Sequence, residues 1–187
     1  MKKVILLLAQ GFEEMETVIP LDILRRGGVT VETAAIGPDR AVEGCHQIKL
    51  LAEKTLAECH AGEYDMVIVP GGQPGVDNLK ADPRVLELLM AFIDGDKWVA
   101  AICAGPQVLA LAGILSGTCI TSYPSVKPDL VPHIKTYSED RVVVDGRIIT
   151  SRGAGCAEAF GFTLLEILTD RGAAQRVKEQ ILSSVSW

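Results

Sequence analysis

The sequence predicts an α/β fold in which a mostly parallel sheet is covered by helices on both faces. Two observations carry this. Four apolar runs of strand length, Val4–Ala9, Val29–Ile36, Met66–Val69 and Trp98–Ile102, are separated by segments of helical length. These runs are continuous rather than alternating, so both faces of each strand must be buried, as in a parallel sheet sandwiched between helices. Right-handed crossovers then give a doubly wound, flavodoxin-like architecture, with functional sites gathered at the carboxyl ends of the strands.

The first run follows Lys2 and Lys3 and has the look of a secretory signal. Gln10, Glu13, Glu14 and Glu16 end it too early for that, so it reads as a buried strand. A helix from about Glu14 to Arg26 carries Val18, Leu21, Ile23 and Leu24 on its apolar side. Arg25 and Arg26 occupy its last turn, and Gly27-Gly28 stops it. The Cys45–Leu51 segment is less regular and suits a small antiparallel hairpin. Asp82-Pro83 opens a second helix bearing Val85, Leu88, Leu89, Phe92 and Ile93. Arg141–Asp145 and Arg147–Thr150 form a hairpin about Asp145-Gly146, and Gly153–Thr169 and Ala173–Val185 read as two terminal helices. Without repeats, low-complexity tracts or long linkers, residues 1–187 are expected to form a single domain.

Composition narrows the function classes. An apolar fraction of 48% with 22% charged residues is globular, and a net charge of −6 argues against a specific nucleic-acid partner. No stretch reaches the roughly 18 apolar residues of a membrane span. The five cysteines, Cys45, Cys59, Cys103, Cys119 and Cys156, are irregularly spaced without a C-x-x-C pair. That spacing indicates neither a disulfide framework nor a zinc motif, and it points to the cytoplasm.

The candidate chemistry centres on Cys103, where the strand Trp98–Ile102 meets the apolar run beginning Ala104-Gly105-Pro106. A side chain at so sharp a strand-to-helix turn is thrown outward, and its neighbours Ala101, Ala104 and Gly105 are small. This is the layout of a nucleophile elbow, with cysteine in place of serine. Free N–H groups and the dipole at the helix start favour a thiolate there; the other reading is a buried apolar cysteine. At the end of the third strand, Gly71-Gly72 is either a sharp exit or a pair whose N–H groups join Ala104 N–H in holding an oxyanion. Of the acidic turn Glu13-Glu14-Met15-Glu16, most of the charge suits a solvated helix start. Glu16, nearest the apolar part of the segment, is the carboxyl that can turn back towards Cys103. Desolvation there would raise its pKa and keep it protonated, fit to serve as acid or base.

Five blocks in order carry a family resemblance: Ala9–Pro20, Val69–Gly72, Ala100–Pro106, Tyr137–Glu139 and Ile149–Gly153. Together they resemble the ThiJ/PfpI superfamily, specifically its parkinsonism-associated protein deglycase branch and bacterial YajL-like relatives. The resemblance implies a flavodoxin-like homodimer without a dissociable cofactor. Cys103 would be the nucleophile or redox-sensing thiol, Glu16 its protonated partner, and Gly72 with Ala104 the oxyanion-binding backbone. It also implies glyoxalase or deglycase chemistry on methylglyoxal, glyoxal or their adducts, with oxidation sensing and chaperone-like protection as the alternative.

Two departures sharpen the expectation. Branches of the superfamily with a histidine directly after the cysteine have a Cys-His dyad, whereas here Ala104 follows. Where the parkinsonism-associated protein has a histidine near the thiol, this chain has Tyr123, which can bind substrate by a hydrogen bond but is no base near neutral pH. No late His-x-Glu pair follows Cys103, which argues against an amidotransferase or protease triad. His46, His60 and His133 lie outside the matched blocks and read as surface residues. The resemblance places Cys45 near a dimer interface; Cys119 reads as core, Cys59 and Cys156 are unassigned, and Arg26 and Arg152 read as solvated.

Overall fold

In the computed structural model, which describes residues Met1–Trp187, the four apolar runs lie side by side in one seven-stranded sheet. Along the chain the strands are β1 (Lys3–Leu8), β2 (Thr30–Ala35), β3 (Ala41–Glu43), β4 (Lys49–Leu51), β5 (Lys54–Thr55), β6 (Met66–Val69), β7 (Trp98–Ile102), β8 (Cys119–Ile120), β9 (Thr136–Tyr137), β10 (Val142–Asp145) and β11 (Ile148–Ser151). The helices are α1 (Glu14–Arg26), α2 (Gly75–Ala81), α3 (Pro83–Asp94), α4 (Pro106–Leu111), α5 (Lys127–Leu130), α6 (Ala157–Leu168) and α7 (Arg171–Gln180). The sheet order is β10-β11-β7-β6-β1-β2-β5; every neighbouring pair is parallel except the β10–β11 hairpin.

The pleat sends alternate residues of β1 into two separate cores. Ile5 and Leu7 join Val67, Val69, Val99 and Ala101 under α2, α3 and α4, where Leu88, Leu89 and Phe92 bury the apolar face of α3. Val4, Leu6 and Leu8 join Met66, Ile68, Ala100 and Ile102 under α1 and α6. Burying one side chain of Leu or Phe size stabilises the fold by roughly 1.5–3 kcal/mol, so the continuous apolar strands supply both cores at once. α1 and α6 approach closely because a Cβ at Gly161 would lie 2.9 Å from Ile23 Cδ1 and 3.2 Å from Pro20 Cα. The Asp82 side chain caps α3 by accepting from Arg84 N–H at 3.0 Å, and Pro83 fills its first position, as Asp82-Pro83 led one to expect.

The structure departs from the sequence reading in several places. α2 was not expected: it is only seven residues long, beneath the length at which a helical period shows. The last helix ends at Gln180 rather than Val185, because Leu182 turns into the left-handed region (φ 57°) and the tail folds back to set Trp187 against Phe162, ring centroids 4.9 Å apart. Cys119 is in a strand but only half-buried, since β8 pairs with β9 outside the main sheet. The hairpin begins earlier than Cys45: β3 and β4 flank a turn that carries Cys45 and His46. No helix is long and apolar enough to cross a membrane.

Candidate active site

The carboxyl ends of β1, β6 and β7 bring three segments together, as their order in the sheet requires. At the end of β7 the chain turns within one residue, and Cys103 takes a left-handed backbone conformation, φ 63°. Two backbone bonds hold it there: Cys103 N–H donates to Ser151 O at 2.9 Å, and Tyr123 N–H donates to Cys103 O at 2.9 Å. Gly105 packs so closely that a Cβ there would stand 2.6 Å from Val69 O, so the small residue after the elbow is a steric requirement. Cys103 borders both cores yet keeps partial exposure, which separates it from an inert buried cysteine.

Glu16 reaches the thiol from the first turn of α1. It is 1% exposed, and its Oε2 accepts from Gly71 N–H at 2.9 Å. A Cβ on Gly71 would sit 2.5 Å from that same oxygen and 2.7 Å from Cys103 Cβ, so this glycine leaves the space in which carboxyl and thiol meet. Burial pushes the Glu16 carboxyl up to about 7; the hydrogen bond with Cys103 works the other way, the nearby Glu13 charge adds to the rise, and N–H groups of Gly71 and Ala154 offset part of it. Burial also pushes the Cys103 thiol up, reinforced by the charge of Glu16, while Ala104 and Gly72 N–H groups favour the thiolate. The two groups act as a coupled pair: near neutrality its negative charge lies on the Glu16 carboxylate, and it passes to sulfur only when the thiol hands its proton to Glu16.

Two expectations about this cleft need correction. The helix start does not by itself make Cys103 thiolate-rich, because burial and the carboxylate outweigh its N–H groups. Nor is Gly71 an oxyanion donor, since its N–H is committed to Glu16; Gly72 and Ala104 are the N–H groups that face the sulfur. Gly72 itself has φ 92°, and a Cβ there would run into Glu13 N and Gly11 O. Tyr123 stands at the rim, half exposed, its ring beside Gly153, which in turn lies near Glu16. A cleft of about 640 Å³ lined by Leu8, Gln10, Ile36, Asn78 and Arg84 opens between the end of β1, the loop after β2 and the α2–α3 junction, and Cys103 is not among its lining residues.

With this geometry in place, a model of the DJ-1/PfpI family matches residues 2–167. The chain belongs to the DJ-1/PfpI family. It is 39% identical over 184 residues to Parkinson disease protein 7 homolog of Danio rerio, covering 97% of each chain. Its fold is similar to that of Drosophila melanogaster DJ-1beta, with a TM-score of 0.94 at 38% identity, 98% of this chain and 99% of that one being covered. It is also similar to a structure of oxidized Toxoplasma gondii DJ-1, with a TM-score of 0.92 at 30% identity over 99% of this chain and 100% of that one.

A second cluster on this DJ-1/PfpI chain escapes the sequence reading. Glu14, in the acidic turn whose charge suits a solvated helix start, is instead 5% exposed. Its Oε1 accepts from His46 N–H at 2.7 Å, and its Oε2 lies 2.8 Å from His46 Nδ1 and 3.5 Å from Cys45 Sγ. Burial opposes ionisation, but the His46 side chain and backbone N–H and the Cys45 thiol more than offset it and hold Glu14 at about 2. The three donor atoms lie close enough together to hold a metal ion. The 31-residue separation of Glu14 and Cys45 hid this grouping from any local motif. His46, His60 and His133 are exposed, as expected, and Arg26 pairs with Asp22 on the surface of α1.

Proposed function

We propose that the protein is a cofactor-independent glyoxalase or deglycase-type enzyme acting on methylglyoxal, glyoxal or their adducts. The observation that carries this reading is the convergence at the partly exposed end of β7 of a thiol, a buried carboxyl titrating near neutrality and two backbone N–H groups. Cys103 gives its thiol proton to the Glu16 carboxylate as its sulfur adds to the aldehyde carbon. Gly72 and Ala104 N–H groups receive the developing oxyanion, and Glu16 delivers its proton to that oxygen to give a hemithioacetal. The Glu16 carboxylate then removes the hydrogen on the former aldehyde carbon as a proton and returns it to the adjacent carbon, while the hydroxyl proton passes to the neighbouring carbonyl oxygen. This leaves a 2-hydroxyacyl thioester on Cys103. Water hydrolyses the thioester, restoring the thiol pair and releasing a 2-hydroxy acid; the net reaction is hydration with internal redox, so no external electron acceptor enters. In this reading Tyr123, half exposed beside Gly153, hydrogen-bonds the substrate.

The test measures methylglyoxal loss and lactate formation in metal-free buffer lacking amines and thiols, which would trap the aldehyde. Wild type is expected to form lactate and Cys103→Ser none. Full activity in purified, folded Cys103→Ser or Glu16→Gln would refute the mechanism.

A second reading is favoured by the likeness to Toxoplasma gondii DJ-1 in an oxidized form. Cys103 then serves as an oxidation sensor, with the Glu16 carboxyl and the two N–H groups binding the oxygens of a sulfinate, in a protein that protects others with little turnover. Intact mass after mild peroxide separates the readings: a sensor gains two oxygens on Cys103 before the other cysteines react. A homodimer accompanies both readings. Exposed Met15 and Val18 on α1 and Ile48 and Leu51 by the hairpin supply apolar surface for it, and sedimentation velocity would show the doubled mass.

A further inference from the structure

We propose that Glu14, Cys45 and His46 form a binding site for a borderline divalent ion of the zinc class, separate from the Cys103 cleft. The donors are one carboxylate oxygen, one sulfur and one imidazole nitrogen, the ligand types that zinc takes with an open fourth position. Their separations in the chain are 3.5 Å for sulfur to oxygen, 3.2 Å for sulfur to nitrogen and 2.8 Å for nitrogen to oxygen. Bonds of about 2.3 Å to sulfur and about 2.0 Å to nitrogen and oxygen, at tetrahedral angles, require donors about 3.3–3.6 Å apart. The sulfur–oxygen edge already meets this. The nitrogen–oxygen edge must widen by about half an ångström, and the His46 ring, 69% exposed, is free to swing by that amount.

The carboxylate is held for the task. Glu14 Oε1 is occupied by the backbone N–H groups of His46 at 2.7 Å and Ile48 at 3.4 Å, which leaves Oε2 turned to the sulfur and the imidazole. Bonds of this kind to the non-ligating atom orient a metal ligand. Gly44 makes the approach possible, because a Cβ there would overlap the Glu14 carboxylate. Binding displaces the Cys45 proton to solvent and the proton that His46 Nδ1 directs at Glu14 Oε2 from that nitrogen. Carboxylate and thiolate together then neutralise the ion's two charges, and His46 coordinates through Nδ1 with its remaining proton on Nε2. The exposed side of the ring leaves the fourth position to water. Glu14 and Glu16 point to different partners from one turn of α1, so the ion sits against the β3–β4 hairpin rather than on the reacting thiol.

The test uses the full chain carrying Cys103→Ser, which removes the competing thiol. Zinc is titrated against a chromophoric chelator, and cobalt(II) is followed by its thiolate charge-transfer absorption. One ion per chain is expected, with a cobalt–thiolate band and a melting temperature that rises with zinc. Adding Cys45→Ser should abolish the band, and Cys45→Ser or His46→Ala should each weaken zinc by about tenfold or more while leaving the circular dichroism unchanged. Because His46 is exposed, its replacement reads ligation rather than folding. Absence of stoichiometric binding, or equal affinity with and without Cys45, overturns the proposal.

Discussion

Glu14 and Glu16 leave the same turn of α1 and are almost equally hidden, at 5% and 1% exposure, yet one is held at about 2 and the other is pushed up to about 7. Burial opposes charge on both. The difference lies in how deep they sit, Glu16 well below the surface and Glu14 just under it, and in what meets them. Glu14 enters the hairpin turn and finds two backbone N–H groups, an imidazole and a thiol. Glu16 turns into the sheet end and finds the N–H groups of Gly71 and Ala154, a thiol that competes for the same charge, and the like charge of Glu13. A carboxyl is thus an anchor when it lies shallow with an imidazole beside it, and a proton store when it lies deep beside other acids.

The comparison breaks most readily at Glu16. Glu16→Gln keeps the shape but cannot exchange the proton, so turnover on methylglyoxal should fall by roughly 10²–10⁴-fold while the circular dichroism is unchanged. The same exchange at Glu14 should act on the fold instead. Glu14→Gln puts an amide among donors that need a carboxylate, and denaturant unfolding at pH 7 should show a loss of roughly 2–3 kcal/mol.

Stability against pH sharpens the contrast, because the two groups work in opposite directions. Glu16 is raised from 4.5 to about 7, so the folded state retains a proton that the unfolded state releases. Its contribution is present below pH 4.5 and is lost as pH rises to about 7, a change of roughly 3 kcal/mol. Glu14 is lowered from 4.5 to about 2, so its contribution is present above pH 4.5 and is lost as pH falls towards 2. Unfolding curves across this range should decline on both sides, and Glu16→Gln should flatten the neutral side alone. A decline that persists unchanged in Glu16→Gln would show that another group carries it.

Smaller effects test the space around the pair. Gly71→Ala places a methyl against Glu16 Oε2 and Cys103 Cβ, and should cost roughly 1–3 kcal/mol in chemical denaturation together with activity. Tyr123→Phe removes a rim hydroxyl, and should raise KM by no more than about tenfold with kcat retained.

The continuous apolar runs made the parallel sheet legible, since only strands covered on both faces bury so many consecutive residues. Small residues about Cys103 revealed the elbow, and the apolar flank of Glu16 marked it out among three glutamates. What stayed hidden is tertiary. The opposite fate of Glu14 depends on a turn 31 residues away, and the occupation of Gly71 N–H depends on where the Glu16 carboxyl ends. α2 lacked the length to declare a period, and the tail after Gln180 is set by Trp187 finding Phe162 and donating through Nε1 to Glu166 Oε2 at 2.7 Å.

The left-handed backbone at Cys103 carries a consequence for any laboratory evolution of this chain. A side-chain-bearing residue held there costs about 1–2 kcal/mol that glycine would not. A library screened for heat tolerance alone would therefore drift to glycine at position 103 and shed the sulfur while gaining melting temperature. Screens that must retain the thiol need a second criterion, such as labelling by an alkylating reagent, applied in every round.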